Sequence, residues 1–210
     1  MDFISLEKYL IHAIKNLPGE EAQYKMASNI RLDMKDKDFS SAKQAGVLIL
    51  LFPYENNLAT VFMQRNTYPG PHSGQISFPG GKYEPGDENI INTALREAKE
   101  EIGIDIKSIK VIGQISSLYI LASNFNVIPV IGYTKETPDF IIDKSEVEKT
   151  IIIKINDFYN PENLSSIEFT WEDEIIETPC FKIGNNIIWG ATAMILSEFL
   201  EIIKDYIIGY

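Results

Sequence analysis

The chain has 210 residues, 45% of them hydrophobic and 23% charged, enough to bury one sizeable core. A net charge of −11 leaves no basic stripe to neutralise a phosphate backbone, which argues against a general nucleic-acid binder. No apolar run approaches the roughly 18 residues of a membrane span, and a single cysteine, Cys180, excludes an internal disulfide framework.

In chain order, Phe3, Leu6, Tyr9, Leu10, Ala13 and Ile14 recur at helical spacing and predict an amphipathic helix over 3–16, ending before Pro18. Its first residues, MDFISLEKYL, carry acids and no basic stretch, so no signal peptide is expected. With one thiol, this favours a reducing cytosol. Residues 18–44 are polar and predict irregular structure. Ala45 to Phe52 is a continuous apolar run, a buried strand; Asn56-Asn57 makes a turn, and Ala59 to Gln64 returns as a second strand. Val111 to Ser117 and Phe125 to Tyr133 read as strands joined by a polar turn, and Thr150 to Ile155 as another. Ile167 to Trp171 and Cys180 to Ile183 suggest a late hairpin region with Gly184-Asn185 as its turn. Trp189 to Ile207 has helical periodicity. Strands and helices alternate with hairpins among them, so the expectation is an α/β fold with a mixed β-sheet and helices on both sides. One globular unit is expected, with a helix and polar segment over 1–44 and the main domain over 45–210.

Between these elements lies the most informative segment, GGKYEPGDENIINTALREAKEEIGI over residues 80–104. A glycine-rich loop runs into a helix. At about 100° per residue, Glu100 and Glu101 fall about 60° and 40° to either side of Glu97, and Ile91, Ala94, Leu95, Ala98 and Ile102 cluster about 115° away. One face suits a core; the other stacks three like charges in one turn, which destabilises a helix unless something compensates. Oxygen ligands of this kind suit Mg²⁺ or Mn²⁺.

The segment resembles the Nudix box, G-x5-E-x7-R-E-U-x-E-E-x-G-U with U aliphatic. Arg96, Glu97, Ala98, Glu100, Glu101, Gly103 and Ile104 match its second half. The first half departs: Asp87 stands where the family has Glu, and the stretch from Gly81 to Arg96 is one residue longer. A similar longer loop, often with Asp, is a mark of the coenzyme A pyrophosphatase branch. Upstream, Arg65, His72, Gly74 and Phe78 to Gly81 resemble that branch's extra signature, except that Gly70 occupies the place of a second Arg. Ser123 to Gly132, Glu146-Val-Glu148 and Ile188 to Leu196 resemble later family segments, so the likeness runs from about Gly46 to Leu200.

The resemblance implies an α/β/α sandwich with the box helix packed on the sheet. It implies metal-dependent hydrolysis of a nucleoside diphosphate linked to another group, here coenzyme A or its thioesters, cut to 3′,5′-ADP and (acyl-)4′-phosphopantetheine. Glu97, Glu100 and Glu101 with the Gly81 carbonyl would hold Mg²⁺ or Mn²⁺. Arg96 would orient the glutamates and brace the loop through Asp87. Glu97, Glu146 or Glu148 would be the general base, Glu146 being the better placed of the later two. Arg65, His72, Gly80 and Gly81 would contact the substrate, and Tyr119 and Phe125 are candidates to stack on it or to belong to the core. Two other readings stand beside this one: a Nudix enzyme for ADP-ribose, NADH or a nucleoside triphosphate, and a non-catalytic nucleotide-sensing domain. The polar N-terminal segment is expected to cap the site, to mediate a homodimer, or to do neither.

Overall fold

The computed structural model describes residues 2–32, 41–69, 73–171 and 174–209; Gly70 and His72 lie outside them. The chain opens with α1 (Phe3–Ala13), capped by Asp2, whose carboxylate accepts from Ile4 N and Ser5 N, and it buries Phe3, Leu6 and Leu10. It stops short of residue 16 because Lys15 and Asn16 close tight turns onto His12 and Ala13. The stretch expected to be irregular contains α2 (Glu20–Gln23), a 3₁₀ turn (Tyr24–Met26) and α3 (Asn29–Leu32). Their order is tertiary in origin: Ala22, Gln23 and Met26 are buried beneath the last helix, and no local periodicity announces that.

Next come β1 (Lys43–Tyr54), β2 (Asn57–Arg65), β3 (Ile76–Ser77), β4 (Gly80–Lys82) and α4 (Ile90–Ile102). The β1–β2 turn is Glu55-Asn56, both with positive φ, one residue earlier than expected; Asn57 already pairs with Tyr54. Then follow β5 (Lys110–Gln114), β6 (Leu118–Ile120), β7 (Phe125–Tyr133) and β8 (Val147–Lys154). The strand expected up to Ser117 ends at Gln114, after a register shift against β7 near Gly113, and β6, in the stretch expected to be a polar turn, pairs with β7 afresh. The chain finishes with β9 (Leu164–Trp171), β10 (Glu174–Ile183), β11 (Asn186–Trp189) and α5 (Gly190–Ile208). Here Gly184-Asn185 joins β10 to β11 rather than closing the β9–β10 hairpin, whose strands pair from Trp171↔Glu174 inward.

β1 to β8 form one mixed sheet with the backbone order β3-β2-β1-β7-β5, in which β1 and β7 run parallel and the other pairs antiparallel. β4 adds to the first half of β1, β6 to β7, and β8 to β2. The apolar run in β1 is explained by burial on both faces. Leu48, Leu50 and Phe52 meet Ala94, Ala98 and Ile102 of α4; Ile49 and Leu51 share the opposite core with Leu6 and Leu10 of α1 and Phe199 and Ile203 of α5. All five β1 side chains are fully buried, each stabilising the fold by about 1.5–3 kcal/mol. The result is the expected α/β/α sandwich, with α4 on one layer and α1 and α5 on the other. The three-stranded sheet β9–β11 stands beside it, tied in by Phe181 edge-on to Phe158 at 5.3 Å.

Candidate active site

α4 starts at Asn89, whose side chain accepts from Asn92 N at 3.0 Å, and ends at Gly103 in the left-handed region. The loop before it is folded around Asp87. That buried carboxylate accepts from Arg96 Nε and Nη2 at 2.9 and 3.0 Å, from Thr93 Oγ1 at 2.9 Å and from Glu84 N at 3.0 Å. The guanidinium holds the Asp87 carboxyl far below the usual carboxylate range, and the same pairing raises Arg96. Arg96 also donates to the Lys82 carbonyl at 3.1 Å and pairs through Nη1 with Glu97 at 2.8 Å and Glu100 at 2.9 Å. One arginine therefore ties β4, the loop and two of the three glutamates together.

The glutamates do not share one solvated face. Glu100 is exposed, Glu97 is half-buried, and Glu101 is almost fully enclosed at 3% exposure. The helical wheel placed them together but could not show that β4 and the end of β2 close over Glu101. Its carboxylate accepts from Gly80 N at 2.8 Å and lies 3.6 Å from Arg65 Nη1. Burial pushes Glu101 up to about 8, against the pull of Gly80 and Arg65, with Glu97 and Glu146 adding repulsion. Burial also raises Glu97, Arg96 offsets part of that rise, and repulsion from Glu100 and Glu146 adds to it. Glu146 reaches this group because β8 pairs with β2, setting Val147 opposite Arg65 and its own carbonyl on Asn66 N at 3.0 Å. Glu148 is exposed on the same strand.

Two glycines permit the close approach. A Cβ on Gly81 would lie 2.5 Å from the Glu97 carboxyl. One on Gly80, whose φ is +152°, would lie 2.3 Å from the Gly46 carbonyl. Among the described residues no three acidic, His or Cys side chains converge into a ready-made cage. What is present is a pair of raised carboxylates one helical turn apart, with the Gly80–Gly81 backbone against them. That donor set fits Mg²⁺ or Mn²⁺, which is commonly held by one or two carboxylates and fills its remaining positions with water and substrate oxygens.

Beside this group opens a cavity of about 540 Å³, within the range of nucleotide-sized sites. Gly80, Gly81, Lys82 and Arg65 form one wall. Tyr119 and Phe125, left open between ligand contact and core, both line it, as do Phe169 and Trp189, whose rings lie 5.3 Å apart. The structure thus brings Glu97, Glu101, Gly80, Gly81 and Arg65 together, leaves Glu100 at the rim with Arg96, and puts Glu146 across from them. His72 lies outside the described residues. Sequence reading did not single out Arg31, Ser77 or Phe169, which also line the cavity; nothing in their local sequence sets them apart.

The fold and this loop-and-helix geometry define a domain built to gather carboxylates beside a nucleotide-sized cleft. The NUDIX domain family matches residues 42–174, and the chain belongs to it. Members of that family hydrolyse pyrophosphate bonds and generally use divalent metal ions. The chain is 36% identical to Nudix hydrolase 15, mitochondrial, of Arabidopsis thaliana over 77% of this chain and 59% of that one. It is 26% identical to Nudix hydrolase 3 of Caenorhabditis elegans over 81% and 77%. It spans 59% and 53% of the length of two plant relatives, so it is similar to a part of each. The solved structure of RenU, a Nudix hydrolase from M. smegmatis, aligns with a TM-score of 0.55 at 13% identity over 78% of this chain and 86% of that one, a likeness of fold alone.

Proposed function

We propose that the chain is a Mg²⁺- or Mn²⁺-dependent pyrophosphohydrolase that cuts the diphosphate of coenzyme A or its thioesters into 3′,5′-ADP and (acyl-)4′-phosphopantetheine. The observation that carries this is the continuity of the carboxylate group with a long, mostly apolar cavity. A diphosphate at the Gly80–Gly81 wall leaves room for a nucleoside and for an extended arm whose methyl and methylene groups would lie between aromatic side chains. The upstream segment that resembles the coenzyme A branch supports the same reading, since Arg65, Phe78, Gly80 and Gly81 line that cavity.

Glu97 and Glu101, with the Gly81 carbonyl, are the residues that would hold the metal, and Glu100 would join from the rim. The ion supplies charge neutralisation at the phosphoryl oxygens and a lowered pKa for bound water. Asp87 and Arg96 fix the turn of α4 on which Glu97 rides. Arg65, 3.6 Å from Glu101, would share its guanidinium with a phosphate. Glu146, exposed beyond the end of β2, would accept a proton from water attacking phosphorus. The lone buried thiol, Cys180, is in keeping with a reducing compartment such as the cytosol.

The test is a product assay. Purified protein with Mg²⁺ or Mn²⁺ is offered coenzyme A, acetyl-coenzyme A, ADP-ribose, NADH and dNTPs separately. The expected result is metal-dependent 3′,5′-ADP from the first two. Cleavage of ADP-ribose or NADH alone would keep the hydrolase and reject the substrate.

A further inference from the structure

The N-terminal segment, outside the matched 42–174, sends one cation into the cavity. Arg31 on α3 lines it, held by a hydrogen bond from Nη2 to the Tyr119 carbonyl of β6, with its Cζ 5.9 Å from the centroid of the Tyr24 ring. A guanidinium has five N–H donors. Nε is buried without an acceptor, and no carboxylate among the described residues pairs with Arg31. A charged donor in that state is costly inside a protein and marks a place where an anion is accommodated. Ser77, which also lines the cavity, likewise has a buried hydroxyl without a partner among the described residues.

Strand register gives the distance between the two ends. Lys82 pairs with Ala45, Ala45 with Val127, and Val127 with Leu118, next to Tyr119. Three strand spacings separate the Gly81–Lys82 wall from the Arg31 end, about 14 Å. Once a side-chain or metal contact at each end is allowed for, that gap suits one nucleotide, with its diphosphate at the glycine wall and a ribose-bound phosphate at Arg31. A protein of net charge −11 has placed a cation there, against its overall field.

We propose that Arg31 determines specificity by binding a second phosphate, a monoester on the ribose of the substrate, remote from the diphosphate that is cut. The inference rests on reading the carboxylate group as the diphosphate site. Arginine suits the role because its fork keeps one N–H on Tyr119 and presents others to phosphate oxygens, which an ammonium cannot do in the same geometry. The short α3 holds this position because the segment is anchored on buried Glu198 of α5, which accepts from Gly19 N at 3.2 Å and Gln23 Nε2 at 2.8 Å.

Calorimetry with Mg²⁺ present compares 5′-AMP, 3′,5′-ADP and 2′,5′-ADP on the wild type, Arg31→Ala and Arg31→Lys. The wild type is expected to bind one bisphosphate at least tenfold more tightly than 5′-AMP, the 3′ form if the substrate is of the coenzyme A type and the 2′ form if it is not. Arg31→Ala should lose that preference while keeping its 5′-AMP affinity and melting temperature, and Arg31→Lys should keep only part of it. Should Arg31→Ala fail to fold, Arg31→Gln makes the same comparison. A wild type with no preference, or a variant that weakens all three ligands equally, overturns the proposal. A preference that depends on Arg31 in a protein that cleaves nothing in the product assay would uphold Arg31 and reject the hydrolase. Cleavage of coenzyme A and its 3′-dephospho form with equal kcat/KM would do the reverse.

Discussion

Glu101 carries the sharpest consequence of the site. Its carboxyl sits at about 8 in the folded chain, raised chiefly by burial, against 4.5 ordinarily. Between those values the folded state keeps a proton that the unfolded state has released, so stability falls as pH rises, by up to about 1.4 kcal/mol per unit. Metal-free protein should show urea midpoints declining from pH 5 to pH 8. Saturating Mg²⁺ should flatten the decline, since binding expels the proton, and Mg²⁺ affinity should climb over the same range. Glu101→Gln keeps the size of the side chain and the acceptor for Gly80 N while removing the buried charge. It should lower turnover by on the order of 100-fold or more and leave metal-free stability at pH 8 equal or higher. A melting temperature several degrees lower there would contradict the burial argument. The sequence placed Glu97, Glu100 and Glu101 on one turn of a helix, because helical period is a local property. It could not tell the exposed Glu100 from the enclosed Glu101, because enclosure comes from β4 and β2, which other parts of the chain position.

At the level of the element, β4 and α4 work as a pair, and two adjacent glycines separate shape from chemistry. Gly81→Ala pushes only the far end of a glutamate, so the fold should hold within a few degrees while kcat drops on the order of tenfold as Glu97 is displaced. Gly80→Ala drives a Cβ into the backbone of β1 at a φ that L residues avoid, and should cost about 3 kcal/mol or more, visible as a lowered midpoint and little folded protein. The reverse pattern would mean that the roles of the two glycines are exchanged. Elements with a strong local period were legible: α1, the apolar run of β1, the apolar stripe of α4 and the length of α5. The 3₁₀ turn and short helices over 20–32 were not, because Gln23 and Arg31 read as ordinary polar residues until α5 and β6 supply their partners. The β9–β10–β11 meander was half legible: Gly184-Asn185 marks a turn, but only pairing shows which strands it joins.

For the molecule as a whole, Glu198 links layers that share no local sequence. Fully buried, it accepts from Gly19 N, Gln23 Nε2 and, at 3.4 Å, Ser116 N. Glu198→Ala would leave three donors without that acceptor and should cost about 2–4 kcal/mol. Denaturant titration measures the loss, and earlier proteolytic cleavage before β1 would locate it. If the N-terminal segment closes the cavity, the same variant should raise KM for the cleaved nucleotide more than it lowers kcat; an unchanged KM would detach the segment from binding.

The parallel pairing of β1 with β7 also bears on how the chain comes to be folded. Lys43 meets Phe125 and Leu51 meets Tyr133, so every contact in that ladder closes a loop of 82 positions (125 − 43). Such closures are paid for in chain entropy before any contact rewards them, and they slow folding. The glycine loop and α4 lie inside that loop and leave the ribosome before β7 does. Their glutamates are then on a helix with half a sheet to rest on, and Glu146 has not been made. A chain halted after Ile120 should accordingly melt without cooperativity and take up no Mg²⁺, and competence should arrive in one step once β8 has joined β2.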